Sequence, residues 1–222
     1  MPRLHALSRV LALCGMLAAC GHVDYRDAPP GKFSGDLFVM WVGEGQFLFV
    51  PNRNNPLTFT WTDEQGRRQS VQPEMMYTDG GSIPRIGQLF NGFGPWGYAP
   101  AYMIHDWLFT ARHCNVDGTP TPAEARVAGI GFQQSAVLLA SSIQALVDSG
   151  RVKRNDLAGQ TIASAVAGPI ARARWDEKGA CAELRVSQPH RQAADAAMPG
   201  ASASALRRGG VAPAAIVGSF SF

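Results

Sequence analysis

Apolar and polar positions keep two different rhythms along the 222 residues of this chain. In the first half the spacing is that of strands. Two apolar runs, residues 37–42 and 47–50, flank Gly43-Glu44-Gly45, which predicts a β-hairpin. Residues 57–62 alternate Leu, Phe and Trp with Thr, as a half-buried strand does. Asp63-Glu64-Gln65-Gly66 reads as a turn, and residues 69–76 as a return strand that Pro73 confines to an edge or a bulge. From Ala99 the period lengthens. Residues 99–113 contain no breaker after Pro100, which suits the first turn of a helix. Thr121, Pro122 and Glu124 fit the N-cap, first and third positions of a second helix that should run to about Asp148 and stop at Ser149-Gly150. Its apolar positions Val127, Ile130, Val137, Leu138, Ile143 and Leu146 leave little polar face. Asn155 or Asp156 can cap a third helix reaching to about Trp175, with a kink at Gly168-Pro169. After about Arg185 the chain is rich in Ala, Ser, Gly, Pro and Arg, a composition that predicts disorder. Its last eight residues alternate weakly and end in Phe222, but no series of barrel strands precedes them. The expected fold is α+β: a small antiparallel sheet followed by two or three helices over residues 33–180, and a disordered tail over 181–222.

The N-terminal end departs from both rhythms. Arg3, His5 and Arg9 form a basic head, and residues 10–19 are continuously apolar or small. A run of about ten residues is half of what a bilayer span needs and fits the apolar region of an export signal. It ends in Leu17-Ala18-Ala19-Cys20, a pattern that resembles a lipobox. The expectation is a signal peptide over residues 1–19, cut before Cys20, and a lipid attached to that thiol. Several acyl chains, palmitate among them, hold a protein far more firmly than one, because each buried methylene adds about 0.8 kcal/mol. Gly21, rather than Asp, after the cysteine points to the outer membrane. Residues 20–32, with paired prolines Pro29 and Pro30, read as a flexible tether that leaves the domain facing the periplasm. The membrane lipid reached through Cys20 is the one partner the sequence names.

Charge narrows the remaining classes. The net charge is +3 and charged residues make up 17% of the chain, so the dense basic face of a nucleic-acid-binding protein is not expected. Of four cysteines, Cys14 leaves with the signal and Cys20 carries the lipid. Cys114 and Cys181 remain. An oxidising compartment permits them to pair; two free, buried thiols are the alternative.

Candidate chemistry concentrates in two segments. Tyr77-Thr78-Asp79-Gly80-Gly81-Ser82-Ile83-Pro84-Arg85 packs Asp, two Gly, Ser and Pro into a tight turn after a strand. Ala101-Tyr102-Met103-Ile104-His105-Asp106-Trp107-Leu108-Phe109 lies on the first predicted helix. A glycine- and aromatic-rich loop, residues 90–98, joins them. Adjacent helix positions point about 100° apart, so His105 and Asp106 are not expected to form a base-and-orienter pair with each other, although both can line one cleft. Three readings stay open. Asp79, His105 and Asp106 can hold a divalent metal ion with water in an open position. His105 can act as a general base, oriented by a carboxylate, on Ser82 or on a water. Or Asp79 merely caps its turn while His105 and Asp106 brace the helix against it. Of the other histidines, His22 and His190 fall in segments read as flexible, and His113 sits at a helix end that favours its charge.

The sequence from Thr78 to Arg85, followed about twenty residues later by Ile104-His105-Asp106-Trp107-Leu108-Phe109, resembles the family catalogued as domain of unknown function 1353. That family carries a TDGxSIPR-like turn and then an HDxLY-like helix, and is common in phage, prophage and bacterial genomes. The resemblance covers residues 33 to about 148. It implies a site at Asp79, Ser82, His105 and Asp106, and no established activity. Phe109 stands where Tyr is usual, which removes one hydroxyl from the cleft. Secreted phospholipases A2 offer a looser similarity. They too carry His-Asp on a helix after a glycine-rich loop, with His as base and Asp as a calcium ligand, but their flanking cysteines are replaced here by Tyr102 and Met103. Two functional readings result: a cell-envelope hydrolase using His105 with Asp79 and Asp106, or a non-catalytic envelope or phage-related binding protein in which the same residues brace the fold.

Overall fold

A computed structural model describes residues 23–78, 97–154, 156–201 and 212–222. The hairpin forms where the apolar runs and the Gly43-Glu44-Gly45 turn predict it. Strand β2 (Asp36–Gly43) pairs antiparallel with β3 (Gln46–Pro51), and the turn is made by residues of positive φ at Gly43, Glu44 and Gly45. β1 (Gly31–Ser34), β4 (Thr58–Thr62) and β5 (Arg68–Val71) form a three-stranded antiparallel sheet in the order β1-β4-β5. β1 crosses β4 closely at Gly31, where a Cβ would lie 2.1 Å from the Phe59 ring; only glycine fits. The segment read as one return strand is divided between the two sheets. β5 pairs with β4, and after Pro73 the short β6 (Met76–Thr78) pairs with β3.

The helices follow. α1 (Ala99–Val116) opens on Pro100 and is buried along most of its length, including Tyr102, Met103, Ile104, Trp107 and Leu108. α2 (Pro122–Arg126) has the capping box expected of it, with reciprocal bonds between Thr121 and Glu124. The single helix expected over 121–148 is interrupted. Residues 127–131 leave helical geometry, and α3 (Phe132–Asp148) starts afresh from Gly131. Gly129 and Gly131 lie in the break, where glycine's backbone freedom makes helix costly. Likewise Gly168-Pro169 ends α4 (Asp156–Val166) and begins α5 (Pro169–Trp175), since Pro169 lacks the amide hydrogen a continuous helix requires. One apolar core joins the three-stranded sheet, one face of the β3-β2 sheet, and helices α1, α3, α4 and α5.

Two expectations about the ends are corrected. The tail is ordered over most of its length: α6 (Cys181–Leu184) and α7 (Gln188–Ala197) are helical, and β7 (Ala215–Ser221) pairs antiparallel with β2, completing a four-stranded sheet in the order β6-β3-β2-β7. The reason lies in the hairpin. Its strands are apolar on both faces, as in sheets covered on both sides. Leu37, Val39 and Phe49 point into the main core, while Met40, Leu48 and Val50 form a second core with Val186, Ala194, Ala197 and Met198 of the C-terminal segment. Nor is the stretch after Cys20 a flexible tether as far as Lys32. Val23 and Tyr25 are buried, residues 25–27 make one turn of 3-10 helix capped by Asp24, and Gly31 already belongs to β1. The folded unit therefore extends beyond residues 33–180 at both ends. Between them, Cys114 and Cys181 form a disulfide, resolving the alternative the sequence left open.

Candidate functional site

Helix α1 sets Tyr102, His105, Asp106 and Phe109 three, four and seven residues apart, so they share one face. His105 is 8% exposed. Its Nδ1 lies 3.3 Å from Asp106 Oδ1, a long but real hydrogen bond. This corrects the expectation that neighbours on a helix do not pair. The two Cβ atoms diverge, but the Nδ1 side of the imidazole is short enough to fold back onto the next residue's carboxylate. An ionised carboxylate only accepts, so Nδ1 carries the proton and Nε2 of the neutral ring keeps its lone pair. That Nε2 is buried and has no hydrogen-bond partner among the described residues. The ring is held from the side by Phe109, 4.7 Å away between centroids, and Phe109 is held by Trp175 in an edge-on contact at 4.9 Å. Phe109 thus acts as a wall for the imidazole.

One turn before Asp106, the Tyr102 hydroxyl is also buried and unpartnered among the described residues. Burial pushes its pKa far above the usual phenol value, and the nearby Tyr98 and Asp106 push it further. Burial raises Tyr98 as well. Both phenols are neutral at any physiological pH, and the Tyr102 O–H is available as a donor. The side chain of Asp106 is 27% exposed, so the pair has access to solvent on one side. The face thus combines a base-competent ring nitrogen, a carboxylate that orients the ring, and a neutral hydroxyl. That set can remove a proton from a water or an alcohol and offer a hydrogen bond nearby.

The other half of the predicted site, Asp79 and Ser82, lies outside the described residues, as does the loop up to Trp96. Of the three residues expected to hold a metal, only His105 and Asp106 are described. Among the described residues, no group of three or more His, Cys, Asp or Glu side chains is arranged to hold a metal ion. The other two described histidines make contacts within the fold. His190, placed by composition in a flexible segment, sits on α7 with Nδ1 2.9 Å from the Tyr77 hydroxyl. His113 is buried, and its Nε2 donates to the Arg174 carbonyl at 2.7 Å.

Sequence reasoning missed a second polar cluster on another side of α1. Glu124 is wholly buried and makes a two-pronged ion pair with Arg185, from Nη1 to Oε1 and from Nη2 to Oε2, the latter at 2.7 Å. Arg185 also donates to the Thr119 carbonyl, and the Thr121 backbone amide donates to Glu124 at 2.7 Å. A cavity of about 260 Å³ adjoins the pair, lined by Glu74, Met76, Trp107, Thr110 and Arg191 among others. The capping box was legible, but it identified Glu124 only as a local cap. Nothing in the sequence linked it to an arginine 61 residues away.

By fold and site, the chain is an α+β protein with a His-Asp pair on the longest helix among the described residues. No protein family, curated protein or solved structure matches it.

Proposed function

We propose that this chain is an exported lipoprotein, anchored through Cys20 on the periplasmic side of the outer membrane, and that its His105–Asp106 face is the base half of a hydrolytic site completed by Asp79 and Ser82. The observation that carries the hydrolytic reading is the state of the imidazole. Nδ1 is turned to a carboxylate while Nε2 is buried without a partner among the described residues. An unpaired buried polar atom costs about 1–3 kcal/mol. The buried His113 also leaves its Nδ1 without a partner among the described residues, but its other nitrogen meets a backbone carbonyl, whereas that of His105 meets a carboxylate able to stabilise an imidazolium. In the proposed step Nε2 takes a proton from water or from the Ser82 hydroxyl, the oxygen so freed bonds to an electrophilic acyl or phosphoryl centre, and the imidazolium returns the proton to the leaving oxygen as its bond to that centre breaks. If Ser82 is the nucleophile, a water then releases the acyl or phosphoryl group from it by the same route. Asp106 stabilises the imidazolium formed. A divalent metal held by Asp79, His105 and Asp106 would instead supply the activated water.

The export reading draws independent support from the Cys114–Cys181 disulfide, since such bonds persist in oxidising compartments and are rare in the cytosol. No helix among the described residues is long and apolar enough to cross a membrane, which is compatible with attachment by lipid.

The tests are separable. Cys20→Ala should abolish incorporation of radioactive palmitate; labelling that persists would sink the anchor. For the site, the purified full chain is assayed on nitrophenyl esters of graded acyl length and on a nitrophenyl phosphate. His105→Ala should lower turnover by about 10²–10⁴-fold while leaving the fold intact. Metal content of the wild type against Asp106→Asn separates the metal-assisted route from the metal-free one. If both variants fold, leave every rate unchanged and alter no bound metal, the residues are not catalytic and the non-catalytic envelope-protein reading takes over.

A further inference from the structure

We infer that the α4–α5 face, residues 161–173, lies flat against the lipid bilayer, with Ile170 in the headgroup layer. The inference rests on the proposed lipidation of Cys20 and gives it a geometric consequence.

The first observation is how early the fold begins. Val23 is already in the core at 6% exposure, and Tyr25 follows at 1%. Three residue steps separate Cys20 from Val23, a reach of about 11 Å at full extension. Each headgroup layer is roughly 5–7 Å thick. A chain anchored at Cys20 therefore has no room to stand away from the membrane, and whatever surrounds Val23 must touch it.

What surrounds Val23 is α4. The Val23 carbonyl accepts from Gln160 Nε2 at 3.2 Å, and the turn at residues 25–27 packs on α3 and α4. Among the described residues, the exposed positions of α4 and of the start of α5 are Thr161, Ser164, Ala165, Pro169, Ile170, Arg172 and Ala173, of which Arg172 alone is charged. Ile170 is the most exposed large hydrophobic residue described, at 77%. Cations stand at both ends of this face: Lys153 and Arg154 before α4, and Arg172 and Arg174 on α5. Asp148 and Asp176 lie beside Arg154 and Arg172 and pair with them, which leaves Lys153, Arg174 and Lys178, against the one further acid Glu177, to meet lipid phosphates. A surface of small and mostly uncharged residues around an exposed isoleucine, with cations at its ends, is the composition of an interfacial helix.

The orientation is read with a fluorescent bimane on an introduced cysteine. On the lipoprotein reading Cys14 is lost and Cys20 acylated, and Cys114 and Cys181 are bonded, so the introduced thiol is the reactive one. Ile170→Cys reports on the proposed face. Gln192→Cys reports from α7, which is exposed there and lies across the four-stranded sheet from the other helices. Full-length acylated protein is placed in phosphatidylethanolamine–phosphatidylglycerol vesicles containing headgroup-level nitroxide lipids. Quenching at 170 should exceed quenching at 192 several-fold. Inserting a twelve-residue Gly-Ser linker between Gly21 and His22 should erase most of the difference while the protein still floats with the vesicles. Equal quenching at both positions in an acylated, floating protein overturns the orientation and leaves the anchor standing. A protein that neither carries an acyl chain on Cys20 nor floats overturns both.

Discussion

Two polar clusters flank helix α1, and they are built on opposite principles. The Glu124 carboxylate is fully engaged, although Trp107 Nε1 in the same cavity wall has no partner among the described residues. Both carboxylate oxygens are engaged by Arg185, the Thr121 amide adds a third bond, and Asn115 closes the backbone by donating to the Ala111 and Glu124 carbonyls. Close by, Asp117 accepts from the Gly179 and Cys181 amides, and the disulfide joins the same two segments covalently. Around His105 the accounting is open. One bond of 3.3 Å joins it to Asp106, and Nε2 and the Tyr102 hydroxyl have no partner among the described residues. A buried polar network that is complete holds a fold together, whereas one with unmet atoms is the arrangement that chemistry uses. The difference separates the part of the molecule that fastens the C-terminal segment from the part proposed to act.

The sharpest way to break the contrast is at its satisfied end. Arg185→Ala leaves the Glu124 carboxylate buried without its cation, and removal of one partner of a buried pair costs about 3–5 kcal/mol. The measurement is the urea midpoint, with Glu124→Gln/Arg185→Ala as the second arm; the double variant should recover part of the loss. Cutting the disulfide comes next. Cys114→Ala/Cys181→Ala reopens a loop of 67 residues, for which loop-closure entropy gives an upper bound of about 4 kcal/mol. If α7 stays docked through the Glu124 cluster, the loss will fall below that bound and far-ultraviolet circular dichroism will barely change.

The fastening was the least legible part of the fold. The hairpin declared itself because Gly43-Glu44-Gly45 interrupts two apolar runs, and α1 because no breaker follows Pro100. The tail did not, because its contribution is made by alanines. Ala193 and Ala194 are buried on α7, yet a helix of alanines and small polar residues has the composition of a linker. The signal was present elsewhere: residues 37–42 and 47–50 are apolar on both faces, so something had to cover the second one. The break at 127–131 was hidden because Val127 and Ile130 stay in phase with the residues of α3. At the site, the helix that carries His105 and Asp106 was legible. Their pairing was not, because a rule about the divergence of neighbouring Cα–Cβ bonds says little about where the tips of two polar side chains meet.

Acid offers a gentler probe of the fastened side. Hydrogen bonds from the Gly179 and Cys181 amides lower the Asp117 pKa. For Asp63, in the turn between β4 and β5, burial raises the pKa, but bonds from the Arg67 backbone and from the Gln69 and Arg67 side chains outweigh it and hold the pKa at about 2, against an ordinary value of 3.8. A depressed folded-state value means the stabilisation is complete above the unfolded value and is lost as pH falls through the folded one. Asp63 therefore contributes nothing to the pH dependence above about 4.5, and its contribution drains away between there and about pH 2; Asp117 acts in the same direction. Asp117→Asn should flatten its share of that slope, measured as urea midpoints from pH 2 to 6.

The smallest expected effect lies at the unsatisfied end, and it is the most discriminating. Tyr102→Phe removes a buried hydroxyl that has no partner among the described residues and leaves the ring, which fills the core, in place. Deleting a satisfied buried group typically loses about 1 kcal/mol, whereas deleting an unsatisfied one relieves its desolvation and is neutral or stabilising. The expected change in the urea midpoint is therefore zero or slightly upward, in contrast to the large downward shift at Arg185. Ester turnover should fall if the hydroxyl donates to the reacting group, and should hold if it is a bystander. A loss of stability of about 1 kcal/mol or more would mean that Tyr102 is bonded after all, by a group from residues 79–96. His105 would then belong to a completed network of the Glu124 kind, and the bracing reading would become the better account of both sides of α1.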